Sequence, residues 1–153
     1  MPKIIVFLSF LILTNITHAQ NNTENIAIKK TIETFFKGLH KGDSAIVSST
    51  LHSDIKIQTT FTDKNGKNNL ITDSKKKLLT GIANKKSEHI YFEKILSWDI
   101  KIDGNLASVW TPYEFYFNTK FSHCGPNSFQ LFNNNGKWEI VYLVDMKRKN
   151  NCK

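Results

Sequence analysis

From Ile26 to Lys41 the apolar positions are Ile28, Ile32, Phe35, Phe36 and Leu39, while Lys29, Lys30, Glu33 and Lys37 fill the gaps. Spacings of three and four residues put the apolar set on one face of a helix. Gly42 ends that helix, and Asp43 can cap a short second one, DSAIVSSTL. Between Ile55 and Thr62 the period changes to two: Ile55, Ile57, Thr59 and Phe61 alternate with Lys56, Gln58 and Thr60, which predicts a strand. Asp63-Lys64-Asn65-Gly66 reads as a turn. After a short extended piece, Asp73 is placed to cap a third helix, SKKKLLTGIANKK, with Leu78, Leu79 and Ile82 facing inward.

Beyond Glu88 the chain is rich in Ile, Val, Phe, Tyr and Trp. It falls into four runs, 89–102, 106–117, 121–132 and 137–147, separated by short Asn- and Gly-containing turns. Short connections between such runs predict an antiparallel meander. Setting Ile102 opposite Leu106 brings Trp98 opposite Trp110. The apolar set then changes parity beyond Pro112, to Tyr113, Phe115 and Phe117, which predicts a β-bulge at the proline. In the last hairpin a two-residue loop at Asn134-Asn135 sets Leu131 against Trp138 and Asn127 against Tyr142. His123, Asn127 and Tyr142 are then expected on the inner face, with Cys124 and Asp145 on the outer one. Helices first and a curved sheet afterwards give an α+β domain.

The N-terminus reads differently. Lys3 precedes an apolar run, Ile4 to Leu13, and Thr17-His18-Ala19 closes the segment with a small residue. This is the pattern of a secretory signal peptide, residues 1–19, too short in its apolar part to span a bilayer. The expected organisation is leader 1–19, polar lead-in 20–25, one domain at 26–149 and a tail at 150–153. The mature protein is expected to be periplasmic or secreted, without a membrane span. An oxidising compartment permits Cys124 and Cys152 to pair; two free thiols or an intermolecular bond are the alternatives. The formal charge of +8 invites a nucleic-acid reading, but Arg148 is the single arginine and the lysines are scattered. Arginine makes the bidentate phosphate and base contacts, so no nucleic-acid partner is expected.

Gly42-Asp43, Leu51-His52-Ser53-Asp54, Val109-Trp110-Thr111-Pro112-Tyr113, His123-Cys124-Gly125, Phe129-Gln130-Leu131 and Gly136-Lys137-Trp138-Glu139-Ile140 together resemble a nuclear transport factor 2-like (NTF2-like) domain. Within that superfamily the chain is similar to exported bacterial putative lumazine-binding and SnoaL-like proteins. The resemblance implies a cone-shaped roll with N-terminal helices on a curved, mainly antiparallel sheet that wraps a pocket, and a homodimer through the outer sheet face. It leaves function open, because the fold hosts isomerases, dehydratases, cyclases and non-catalytic binding domains.

The expected pocket is lined by Trp98, Trp110, Tyr113, His123, Asn127 and Tyr142, and suits a small apolar-aromatic ligand. Binding without turnover is the leading reading. The alternatives are an isomerase-, dehydratase- or cyclase-type enzyme with His123 as base and a Tyr donor, and a dimeric interaction module with Phe92, Tyr116 and Phe132 on the outer face. His123 and Cys124 are strand neighbours, so they point to opposite faces and do not form a Cys-His catalytic pair. His52 and Asp54 read as loop-capping residues. His40, His52, His89 and His123 lie on separate elements, so neither a metal nor a cofactor is expected.

Overall fold

A computed structural model describes the backbone of residues 2–152 and the side chains of residues 22–152. The chain runs α1 (Pro2–Lys41), α2 (Ser44–Ser48), β1 (Leu51–Thr62), β2 (Asn68–Asp73), α3 (Lys75–Ala83), β3 (Tyr91–Ile95), β4 (Asp99–Asp103), β5 (Leu106–Phe117), β6 (Lys120–Asn134) and β7 (Lys137–Lys147). The polar lead-in at 20–25 is part of α1. The side chains of residues 1–21, where the leader and its cleavage site were expected, lie outside the described residues.

The helical stripe behaves as its spacing dictates. Ile28, Ile32, Phe35 and Phe36 are buried against Phe129, Leu131, Trp138 and Ile140 of the sheet. Asp43 caps α2 by accepting the Ile46 N–H at 3.0 Å, and Ser74 caps α3. The helices meet closely at Gly38, where a Cβ would sit 2.7 Å from Val47 Cγ2. Glycine lets α2 fold back onto α1.

The strands form one seven-stranded sheet in the order β2-β1-β7-β6-β5-β3, with β4 also paired to β5. Every pairing is antiparallel except β1 with β7. The expected α+β architecture is therefore observed, and two details of register differ from expectation.

The β4–β5 turn is one residue tighter than expected, pairing Asp103 with Leu106 and Asp99 with Trp110. This single step turns Ala107, Val109, Thr111 and Tyr113 inward and Trp110 outward, with no parity change at Pro112. The irregularity sits on the strand opposite the proline. Ile95 pairs with Tyr113 and Asp99 with Trp110, so Leu96, Ser97 and Trp98 face only two residues. Leu96 N–H donates to Pro112 O at 2.9 Å, and the proline has no N–H to return, so the ladder breaks there.

The β6–β7 turn is Asn135-Gly136, with φ of 52° and 92°, the two left-handed positions of the favoured hairpin turn. It pairs Asn133 with Trp138 and Leu131 with Ile140. Gln130 then pairs with Tyr142, which leaves Val141 as an extra residue. That bulge reverses the parity of the rest of β7. Tyr142 moves to the outer face, where its hydroxyl meets the Gln58 side chain. Asp145 moves inside.

Candidate functional site

The reversed parity builds a row of polar groups across the concave face. Glu93 on β3, Tyr113 and Thr111 on β5, Asn127 on β6, Asp145 on β7 and Thr59 on β1 all point inward. Asn127 Nδ2 donates to Glu93 Oε1 at 2.7 Å. Tyr113 Oη donates to Asp145 Oδ2 at 3.3 Å and lies 3.2 Å from Met146 O. Thr59 Oγ1 donates to Asp145 Oδ1 at 2.5 Å, and Lys147 Nζ lies 3.7 Å from Asp145 Oδ2. Asn127 is buried and Asp145 is 16% exposed. Thr111 is fully buried, and its Oγ1 has no hydrogen-bond partner among the described residues.

These surroundings decide the acid–base character of the row. Burial pushes the Glu93 carboxyl up to about 7; the Asn127 hydrogen bond pulls it down, the Asp145 charge pushes it further up, and Lys147 opposes that. Burial, followed by the charges of Asp145 and Glu93, holds the Tyr113 hydroxyl above its ordinary value. Two carboxyl groups with different environments are thus held on one face, one charge-paired and one poised near neutrality.

The row opens at the free edge of the sheet. β3 is the edge strand, and the Glu93 backbone N–H, which faces away from β5, donates to His40 Nε2 on α1 at 2.8 Å. His40 stacks on Phe36 (6.3 Å between ring centroids) and lies 5.5 Å from the Phe92 ring. Its burial lowers the imidazole pKa, so the neutral ring is favoured. Between α1 and the kinked β3–β4 segment lies a cavity of about 560 Å³. Phe36, His40, Ile95, Trp98 and Glu93 line it, and Lys37 and Lys41 stand among its α1 residues.

The sequence-predicted residues divide between two places. Trp98 lines this cavity, and Lys29 Nζ lies 5.8 Å over its ring. Asn127 and Tyr113 belong to the polar row behind it. Trp110 is 49% exposed on the outer face and Tyr142 also faces outward, so neither joins the concave side. His123 does face inward, but it packs on Phe115 (4.8 Å, stacked) and edge-on to Tyr113, with Ser122 Oγ at 3.1 Å from Nδ1. Burial, reinforced by Lys147, lowers its pKa to about 4. A second cavity, of about 810 Å³, lies beside His123 between the β1 end and the C-terminal tail. His52 Nδ1 accepts the Asp54 N–H at 3.2 Å, a local contact within β1. Cys124 and Cys152 form a disulfide that ties the tail over the outer face.

Glu93, His40 and Asp145 were not among the expected pocket residues. The signal for Glu93 is in the sequence: placing Phe92 outside places Glu93 inside by alternation. Asp145 depends on the bulge at Val141, and His40 on how α1 meets an edge strand.

Comparison with curated proteins finds no match. Solved structures share the fold at low identity. An NTF2-like protein of unknown function from Shewanella baltica OS155 is 22% identical, with a TM-score of 0.60 over 83% of this chain and 95% of that one. A protein of unknown function from Mycobacterium tuberculosis is 12% identical, with a TM-score of 0.68 over 86% and 75%. A structure titled putative scytalone dehydratase from Novosphingobium aromaticivorans is 13% identical, with a TM-score of 0.65 over 86% and 89%. The model of the family described as "Putative lumazine-binding" matches residues 23–144. That span runs from α1 into β7 and takes in Glu93, Thr111, Tyr113 and Asn127 of the polar row while stopping one residue short of Asp145, and the chain belongs to this family of NTF2-like domains.

Proposed function

We propose that the protein is an exported small-molecule-binding domain whose ligand occupies the cavity between α1 and the β3–β4 kink. The observation that carries this is the meeting of aromatic walls, Phe36 and Trp98, with two polar groups, His40 and Glu93, at one concave site. Apolar walls with a few convergent polar groups are the usual make-up of a ligand site. The family description is consistent with a small heteroaromatic ligand. Export follows from the leader pattern at 1–19. Exposed Phe92, Leu96 and Trp110 favour a second copy as the partner of the outer sheet face.

The test is native mass spectrometry of protein taken from the exported fraction of its own host. A bound small molecule that is lost in an Ile95→Trp variant, where the cavity is filled, supports the reading. Protein with the leader uncut, or with no bound mass in either form, counts against it.

One observation favours a second reading. Glu93 titrates near neutrality, as a general base should, and the Tyr113–Asp145 pair stands behind it. An enzyme working by proton transfer would exchange deuterium from D2O into the bound compound. Absence of exchange in the wild type would leave binding without turnover as the function.

A further inference from the structure

We infer that the cavity of about 810 Å³ beside His123 is a second ligand site, for the phosphate monoester of a small hydroxylated molecule such as a sugar. Lys64, Arg148 and Lys149 hold its dianionic head. The site shares no lining residue with the cavity at the β3–β4 kink, and it stands whatever that one binds.

The charges at this cavity do not cancel. Lys64, Lys147, Arg148 and Lys149 line it, with Asp63 as the one carboxylate. Among the described residues only Lys147 of the four cations has an ion partner, Asp145 at 3.7 Å. The Asp63 oxygens are committed to their own turn. Oδ1 accepts the N–H groups of Asn65 and Lys67 at 2.9 and 3.0 Å, and Oδ2 accepts Asn69 Nδ2 at 3.3 Å. Three unpaired cations against the Asp63 charge leave an excess of two. A carboxylate or sulfate ester supplies one negative charge, whereas a phosphate monoester carries about −1.5 to −2 at pH 7.

The cations share one place. Burial first, then the charges of Lys147 and Lys149, lower the His123 imidazole, with Asp145 opposing, so both ammonium groups act on this ring. Their backbone is fixed from the other side. Arg148 and Cys124 exchange two backbone hydrogen bonds of 2.9 Å, and the Cys124–Cys152 disulfide ties the far end of the tail to the same strand. A wall held in this way reduces the ordering that binding would require.

Arg148 gives an independent sign of a missing acceptor. It is the single arginine of the chain, and its Nε is buried without a hydrogen-bond partner among the described residues. A desolvated charged donor is unfavourable until an acceptor meets it. The guanidinium fork matches the oxygens of a phosphate.

The remaining lining selects the body of the ligand. Phe61 and Met146 offer apolar surface, and Thr62, Ser122, Asn150 and Asn151 offer hydroxyl and amide groups. A sugar ring has an apolar face and a rim of hydroxyls, which suits that mixture. A hydrocarbon chain would leave the polar groups without partners.

The probes are glucose 6-phosphate, glucose, glucuronate and inorganic phosphate, titrated by calorimetry into the purified protein at fixed ionic strength. Glucose 6-phosphate should bind about tenfold or more tightly than glucuronate or inorganic phosphate, and glucose should not bind. Its binding should move the His123 imidazole resonances in the NMR spectrum. Lys149→Glu should weaken it about tenfold or more, while Lys76→Glu, the same charge change at an exposed position on α3, should leave it unchanged. Equal losses in the two variants would reduce the effect to general charge attraction and overturn the site. Inorganic phosphate binding as tightly as the ester would overturn the sugar body and assign the site to free phosphate. No binding of glucose 6-phosphate, or binding that leaves His123 unmoved, would overturn the inference while leaving the cavity at the β3–β4 kink untouched.

Discussion

Asn127 and Glu93 lie on strands separated by β5, yet Asn127 Nδ2 donates to Glu93 Oε1 at 2.7 Å across the concave face. The contact passes over β5, with both side chains on the concave face of the sheet. It gives a carboxyl group that burial would keep protonated one strong reason to ionise.

This fixes the sign of one pH effect. The folded pKa of Glu93 lies near 7, above its ordinary 4.5, so the folded state holds more protons between those values. Its contribution to stability is complete below about 4.5 and is lost as pH rises through about 7. Urea denaturation of the wild type and Glu93→Gln should diverge by roughly 3 kcal/mol between about pH 5 and pH 8, with the variant gaining at the alkaline end. Parallel curves would show that the carboxyl is not desolvated.

His123 carries the opposite sign. Its folded pKa is lowered to about 4 from 6.5, so the folded state holds fewer protons in that window. The contribution is intact above about 6.5 and is lost as pH falls through about 4. The ring is only half-buried, and with screening the loss comes to about 1–2 kcal/mol. His123→Phe keeps the stack on Phe115 and should flatten the acid side of the stability profile. A side-chain NMR titration of His123 with its midpoint above pH 6 would contradict this.

Gly125 tests the closeness of β6 and β7. A Cβ there would lie 1.7 Å from the Met146 carbonyl oxygen, which is backbone and cannot rotate away. Gly125→Ala should cost about 3 kcal/mol or more, or abolish folding, whereas Gly104→Ala in the open β4–β5 turn should cost only the strain of its positive φ. Equal losses in thermal unfolding would remove the packing explanation.

Thr111 offers a prediction in the other direction. Its Oγ1 is buried without a partner among the described residues, and an unsatisfied buried hydroxyl costs about 1–3 kcal/mol. Thr111→Val should be neutral or stabilising by about 1 kcal/mol in denaturant midpoint. A clear loss would mean that the hydroxyl is satisfied by a bound molecule.

The Cys124–Cys152 disulfide closes a loop with a sequence separation of 28. On the chain-entropy account that is worth roughly 3.5 kcal/mol. Cys152→Ser should lower the midpoint accordingly and expose the tail from Arg148 onward to proteolysis. An unchanged midpoint would show that the tail contributes nothing to the folded core.

Much of this protein is written in local pattern. The 3.6-residue stripe of Ile28, Ile32, Phe35 and Phe36, the alternation of Ile55, Ile57 and Thr59, and Asn-Gly turns define the elements. They do so because burial of one face is a local property of spacing. The inward direction of His123 and Asn127 was legible for the same reason. What the sequence left open was parity beyond an irregularity. One residue fewer in the β4–β5 turn sent Trp110 outward, and one extra residue at Val141 exchanged Tyr142 for Asp145. Such steps cost little locally and are decided by which faces the assembled sheet buries. The Glu93 carboxyl, its Asn127 partner and the His40 tautomer come from strands and a helix distant in sequence. Only the curved sheet packed against α1 brings them together, and only its dry interior moves Glu93 toward neutrality.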